Sequence, residues 1–254
     1  KSLASLFKRK KVDVIINLAA QAGVRHSLKN PYVYIDSNVL GQVNMLELAK
    51  QLKVQKFIYA SSSSVYGGNK EMPFSVKQRV DNPISLYAAT KKSTELIAEC
   101  YSHLFKIQCV GLRFFTVYGP WGRPDMATFI FTKNILENKA IQIFNYGKMK
   151  RDFTYIDDIV QGVLGVLKIK KKFCHKIYNL GNSHPEVLLE FIEVIEKNLN
   201  LKAKKTLLPI QPGDVSETYA DISESKKDFN FSPKTKVSTG IPKFINWYKD
   251  YYKL

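Results

Sequence analysis

Tyr87-Ala-Ala-Thr-Lys91 places a phenol and an ammonium four residues apart. On a helix those positions share a face. A tyrosine at its ordinary pKa of about 10 is a poor base at neutral pH. A cation beside it favours the phenolate and brings it into range for abstracting a hydroxyl proton. Alone the spacing is a weak signal, because a surface pair reads the same way.

Ser61-Ser62-Ser63-Ser64-Val65-Tyr66-Gly67 strengthens it. Four hydroxyls follow a short apolar run, Lys56 to Ala60, that reads as a buried strand. They make poor core and good hydrogen-bonding equipment. Ser62 precedes Tyr87 by 25 residues. Asn17-Leu-Ala-Ala-Gln-Ala-Gly23 supplies small residues after another strand, where a flat cofactor can approach the backbone.

These groups need positioning elements, and the sequence offers them in alternation. Val12 to Leu18 is a continuous apolar, β-branched run, suited to a strand buried on both faces. Asn38 to Leu52 carries apolar residues at helical spacing. Ser85 to Phe105 reads as a long helix and Gln108 to Phe114 as a third strand. Alternating strands and helices predict an α/β fold with a parallel sheet, whose ligands sit at the carboxyl ends of strands. After about Gly119, Pro and Gly punctuate more often. The expected domains are therefore 1–118, carrying the parallel sheet, and 119–254, mainly a smaller α/β lobe with segments returning to the sheet.

Composition narrows the function classes. Of 254 residues, 45% are hydrophobic, which suits a globular core. No apolar run approaches the roughly 20 residues of a membrane span. Cys100, Cys109 and Cys174 lack CxxC spacing, so they read as small core residues in a reducing cytoplasm, with no metal site. Lys and Arg number 39 against 22 Asp and Glu, a net charge of +17. The excess is mostly scattered Lys, with runs at Lys8 to Lys11 and Lys168 to Lys172 that are not interleaved with aromatics. It reads as solvated surface and not as a nucleic-acid interface.

NLAA, SSSSVYG, YAATK and LRFFTVYG together resemble the extended short-chain dehydrogenase/reductase superfamily. Within it, Tyr118-Gly-Pro-Trp-Gly-Arg-Pro-Asp-Met126, Arg151-Asp-Phe-Thr-Tyr-Ile-Asp-Asp158 and Gln211-Pro-Gly-Asp-Val215 look like the UDP-glucuronate 4-epimerases. The resemblance runs from about Val12 to Tyr252. It implies a Rossmann-like doubly wound sheet, NAD as cofactor, a UDP-sugar substrate and epimerisation at C4 through a 4-keto sugar, possible as a homodimer in the cytoplasm. By the same resemblance Tyr87 is the base and Lys91 its partner, which also holds the nicotinamide ribose. Ser62 hydrogen-bonds the reacting sugar oxygen. Ala19, Ala20, Ser37 and Phe115 touch the cofactor. Ser63, Ser64, Thr116 and Arg123 face the sugar carboxylate, while Arg151 and Asp214 hold the nucleotide diphosphate and its ribose. An arginine fork suits such anions. Arg151 could instead pair with Asp152, Asp157 or Asp158. Related dehydratases carry an Asp-Glu pair after the serine, and decarboxylating relatives a glutamate; Ser63 and Ser64 stand there instead, which suits a plain oxidise, turn and re-reduce cycle.

The resemblance also implies a glycine fingerprint opening a helix that binds the pyrophosphate, and the chain contains none. Two βαβ-type units, roughly 60 residues, are expected ahead of Lys1, leaving the Val12 strand with an unpaired edge. Two rival readings stay open: an inactive truncated remnant that at most binds a nucleotide sugar, and a UDP-glucose 4-epimerase. Residues 1–254 alone are expected to bind UDP better than NAD and to show no epimerase activity, because a lost helix N-terminus removes backbone donors and dipole alike. Calorimetric titration with both ligands checks this; tight NAD binding contradicts it.

Overall fold

A computed structural model describes residues 3–7, 11–211 and 214–254. Part of the first basic run, residues 8–10, and Pro212 and Gly213 of the QPGDV motif lie outside the described residues. In chain order the elements are α1 (Leu3–Phe7), β1 (Val14–Asn17), α2 (Val24–Lys29), α3 (Pro31–Tyr34), a π-helical turn (Ile35–Leu40), α4 (Gly41–Gln51), β2 (Lys56–Ser62), a 3-10 turn (Ser63–Tyr66), α5 (Leu86–Phe105), β3 (Gln108–Phe114), β4 (Thr116–Tyr118), α6 (Ala127–Leu136), β5 (Ala140–Ile143), β6 (Lys150–Tyr155), α7 (Ile156–Leu167), β7 (His175–Leu180), β8 (Pro185–Val187), α8 (Leu188–Leu199), β9 (Lys204–Leu207), β10 (Glu217–Thr218), α9 (Ser223–Phe229) and α10 (Val237–Tyr252).

The chain divides into two compact units. The first comprises residues 1–71, 76–114 and 169–179; the second comprises 72–75, 115–168 and 180–254. The first is a four-stranded sheet in the order β1-β2-β3-β7. β1 and β3 both run parallel to β2. Phe57 and Tyr59 on β2, Cys109 on β3, Leu46 and Ala49 on α4 and Ala98 on α5 form its core. This is the Rossmann-like layering that alternating strands and helices predict. Two expectations on burial differ. β1 has one strand neighbour among the described residues, so Ile16 is 40% exposed where a strand buried on both faces was expected. Cys109 is buried, but Cys100 and Cys174 are exposed, because α5 turns residue 100 outward and residue 174 lies in the loop before β7.

The second unit holds a parallel sheet β10-β6-β4, with β8 antiparallel on β6, and a parallel pair β5-β9. Its core is aromatic: Phe153 on β6 stacks on Phe191 of α8 with centroids 3.9 Å apart, and Tyr118 meets both edge-on.

α5 carries the Tyr87 and Lys91 pair. Ser85 caps it, its hydroxyl accepting from the Ala88 amide at 3.1 Å, and Lys106 ends it in the left-handed region. Its buried face is unusually polar, with Thr90, Lys91, Thr94, Glu95 and Ser102, while Leu96 and Leu104 are exposed. Buried charges need partners. Glu95 has them: Arg113 of β3 donates from Nε at 2.8 Å and from Nη2 at 2.9 Å, and Ser61 Oγ donates at 2.7 Å. Burial alone would raise the Glu95 carboxyl; the Arg113 fork and Ser61 outweigh it and hold the carboxyl below its ordinary 4.5.

A depressed carboxyl pKa adds stability that is present above the unfolded value and lost as pH falls through the folded one. Unfolding midpoints should therefore drop below about pH 4.5 in the parent, and Glu95→Gln should lack that component. At neutral pH Glu95→Gln is expected to lose about 3–5 kcal/mol, because it strands a buried guanidinium. Denaturant titration across pH checks both.

Candidate active site

β2 delivers the serine run. Ser62 ends the strand in extended backbone, is 7% exposed, and its Oγ accepts from the Ser64 amide at 3.1 Å, capping the 3-10 turn. Ser63 and Ser64 are half-buried on that turn. Gly67 closes it at φ 56°, where a Cβ would collide with the Asn82 carbonyl, so the position requires glycine. Tyr66 is anchored by donating to Asn179 Oδ1 at 2.7 Å, with the Arg113 guanidinium 4.8 Å from its ring.

α5 delivers Tyr87 and Lys91. Tyr87 is half-buried, its ring edge-on to Tyr34 with centroids 6.1 Å apart. Lys91 is 4% exposed, and its Nζ donates to the Ala60 carbonyl at 2.8 Å, two residues before Ser62. Burial pushes Lys91 down to about 8, against the opposing pull of Glu95. It therefore stays largely cationic at neutral pH.

The first unit also gathers the expected cofactor positions. Ala19 and Ala20 follow β1 with exposed, minimal side chains, and Ser37 is exposed on the π-helical turn. The Ala60 carbonyl takes one of the three Lys91 donors, so the ammonium has further N–H groups for ribose hydroxyls. These residues fit the nicotinamide-ribose side of a dinucleotide. Phe115, also expected there, lies in the second unit, buried, its amide donating to Leu180 O at 3.0 Å.

The remaining candidates are in the second unit. Thr116 opens β4, half-buried. Arg123 is exposed and forks onto Asp125, with Nε 3.0 Å from Oδ1 and Nη2 3.2 Å from Oδ2. Arg151 donates to the carbonyls of Lys150 at 2.8 Å, Ser216 at 3.1 Å and Val215 at 2.6 Å, and to none of the aspartates that follow it. Burial pulls its guanidinium below its ordinary value, and nearby Asp214 opposes this. Asp152 does other work: fully buried, it accepts from the amides of Asn182, Ser183 and Ala220.

Sequence reading assigned no role to Glu95 and Arg113, and it named Ser61, Tyr66 and Asp152 without the partners they have here. The available signal was a charge inside an apolar strand, Arg113 in QCVGLRF, and a carboxylate four residues after Lys91 on the same helix face.

The model of the NAD dependent epimerase/dehydratase family matches residues 1–181. A protein of Methanocaldococcus jannaschii is 56% identical over 97% of this chain and 75% of its own length. UDP-glucuronate 4-epimerase 2 of Arabidopsis thaliana is 47% identical over 99% of this chain and 62% of that relative. Among solved structures, the UDP-glucuronic acid 4-epimerase of Bacillus cereus, in complex with UDP-glucuronic acid and NAD, superposes with a TM-score of 0.93 at 37% identity, covering 99% of this chain and 79% of that one. The chain belongs to the NAD dependent epimerase/dehydratase family.

Proposed function

We propose that the chain epimerises a UDP-sugar at C4, UDP-glucuronate to UDP-galacturonate, with NAD as the recycled cofactor. The observation that carries this is the placement of Lys91 and Ser62. The serine hydroxyl ends β2, the lysine ammonium is pinned to that strand two residues earlier, and Tyr87 stands one helical turn before the lysine. Named relatives with this activity support it.

When bound, NAD would supply the hydride acceptor at C4 and, after the 4-keto sugar turns over, the hydride donor to its other face. The protein's part is proton movement and positioning. Tyr87 Oη accepts the proton of the 4-hydroxyl and later returns it. The Lys91 charge favours the phenolate. Ser62 Oγ holds the reacting oxygen, and Ser63 and Ser64 offer hydroxyls and no carboxylate, so nothing here drives elimination of water. Lys91, Ala19, Ala20, Ser37 and Phe115 would hold the cofactor. Thr116 and Arg123 would meet the sugar carboxylate, and Arg151 and Asp214 the nucleotide. A UDP-glucose substrate is the second reading, because Arg123 engages Asp125 in this structure and leaves selection of a carboxylate to be tested.

No helix among the described residues is long and apolar enough to cross a membrane. A homodimer and the cytoplasm are the expected assembly and compartment. The domain reading of 1–118 and 119–254 is likewise a proposal about which part serves cofactor and which serves sugar nucleotide.

In a chain that carries the glycine-rich segment, Tyr87→Phe is expected to slow turnover at least about 100-fold with NAD still bound; near-normal epimerisation would sink the assignment. The parent's kcat should fall as pH rises through about 8, where Lys91 loses its charge. Lys91→Ala, slower by a similar factor, should lack that limb, and a pH–rate series decides it. Replacing Arg123 and Thr116 together by Ala should hurt UDP-glucuronate about tenfold more than UDP-glucose, since a hydrogen bond to a charged group is worth roughly 1.5–3 kcal/mol. Parallel assays on both substrates read this, and equal losses would assign the pair to structure or to the nucleotide.

A further inference from the structure

Tyr34 is fully buried in the first unit, and the proposed chemistry does not use it. Its single Oη–H is shared between the carbonyls of Ala22 at 2.9 Å and Gly23 at 2.6 Å, in the loop that follows the small residues Ala19 and Ala20. Its ring meets Tyr87 edge-on, the arrangement that aromatic quadrupoles favour. One side chain therefore touches both the loop and the tyrosine.

Asn38, four residues on, makes the same connection by a second route. Its Oδ1 accepts from the Gln21 amide at 2.8 Å, and its Nδ2 donates to the Gln21 carbonyl at 3.0 Å. The same Nδ2 reaches Thr90 Oγ1 at 3.0 Å, and that hydroxyl donates to the Tyr87 carbonyl at 2.9 Å. Between Tyr34 and the end of this segment lies the π-helical turn Ile35–Leu40. Such wide turns are rare and recur at functional sites. Here it carries Asn38 between the loop and α5.

We infer that Tyr34 is a positioning residue that couples the Gln21–Gly23 loop to Tyr87, so that ordering the loop beside the cofactor and setting the base are one event. This rests on Tyr87 being the base, but the physical coupling is separable from that role. Coupling of this kind is reciprocal. Loosening the loop must disturb Tyr87, and removing the Tyr87 ring must loosen the loop.

Hydrogen exchange on the chain itself is the test. Tyr34→Phe keeps the ring and deletes the hydroxyl; exchange of the amides of residues 21–24 should speed about fivefold, the equivalent of one hydrogen bond. Tyr87→Ala should speed the same amides, although it alters nothing in the loop, while Tyr87→Phe should leave them as in the parent. Unchanged exchange in Tyr87→Ala, or equal change in Tyr87→Phe and Tyr87→Ala, overturns the coupling. Should Tyr34→Phe fail to fold, the two Tyr87 variants still decide. In the NAD-binding form, Tyr34→Phe should raise the KM for NAD by more than it lowers kcat, and Tyr34→Leu, which removes the ring, should reverse that order. Absence of turnover in a parent that carries the glycine-rich segment and binds NAD would count against the base assignment and leave the exchange result standing.

Discussion

The fork between Arg113 and Glu95 is the interaction on which the placement of Tyr87, Lys91 and Ser62 depends. It joins the carboxyl end of β3 to the middle of α5, and both partners are nearly devoid of solvent. A buried ion pair is a poor source of net stability, because desolvation consumes most of its Coulombic gain. Its value here is directional. A bidentate fork tolerates little sliding or rotation of the helix, and Lys91 lies one turn before Glu95 on the same face. Ser61 donates to the same carboxylate, so the strand that presents Ser62 is tied to the helix that presents Tyr87. Phenol, ammonium and hydroxyl are thus referenced to one rigid joint.

That joint also explains why α5 is built against the usual rule. A helix beside a parallel sheet normally buries an apolar stripe. α5 buries Thr90, Lys91, Thr94 and Glu95 and turns Leu96 and Leu104 to the outside. Most of the apolar core of the first unit comes from Phe57 and Tyr59 of β2 and Leu46 of α4, with fully buried Ala98 contributed by α5. Lys91 is tolerated because the Ala60 carbonyl and the Glu95 charge meet it. Without them the ammonium would be lost to burial, and the nearby tyrosine would lose its cation.

Local signals carried much of this into the sequence. β3 spans Gln108–Phe114 as read, and Ser85 is the cap of a helix that runs to Phe105. A capping serine, a β-branched run and a four-residue spacing are properties of neighbours along the chain. The Arg113–Glu95 fork joins residues 18 apart and the Tyr66–Asn179 bond residues 113 apart, so neither leaves a periodic trace. Exposure of Ile16 and of Cys174 follows from strand order and loop placement, which composition does not encode. In the second unit the Arg151 motif was visible, but its partners were not. They are carbonyls, which every residue carries.

Arg123 shows what such a difference means for recognition. In this structure its guanidinium is held by Asp125, two residues away and largely exposed. An exposed pair of this kind is worth about 0–1 kcal/mol, less than a charged hydrogen bond in a site shielded from water. On the proposed reading, a sugar carboxylate would displace Asp125 at small expense, because the aspartate returns to solvent fully hydrated. A neutral hydroxymethyl group would gain less from the arginine, since it offers no charge. Asp125 would then hold the fork in place until an anionic ligand takes it over.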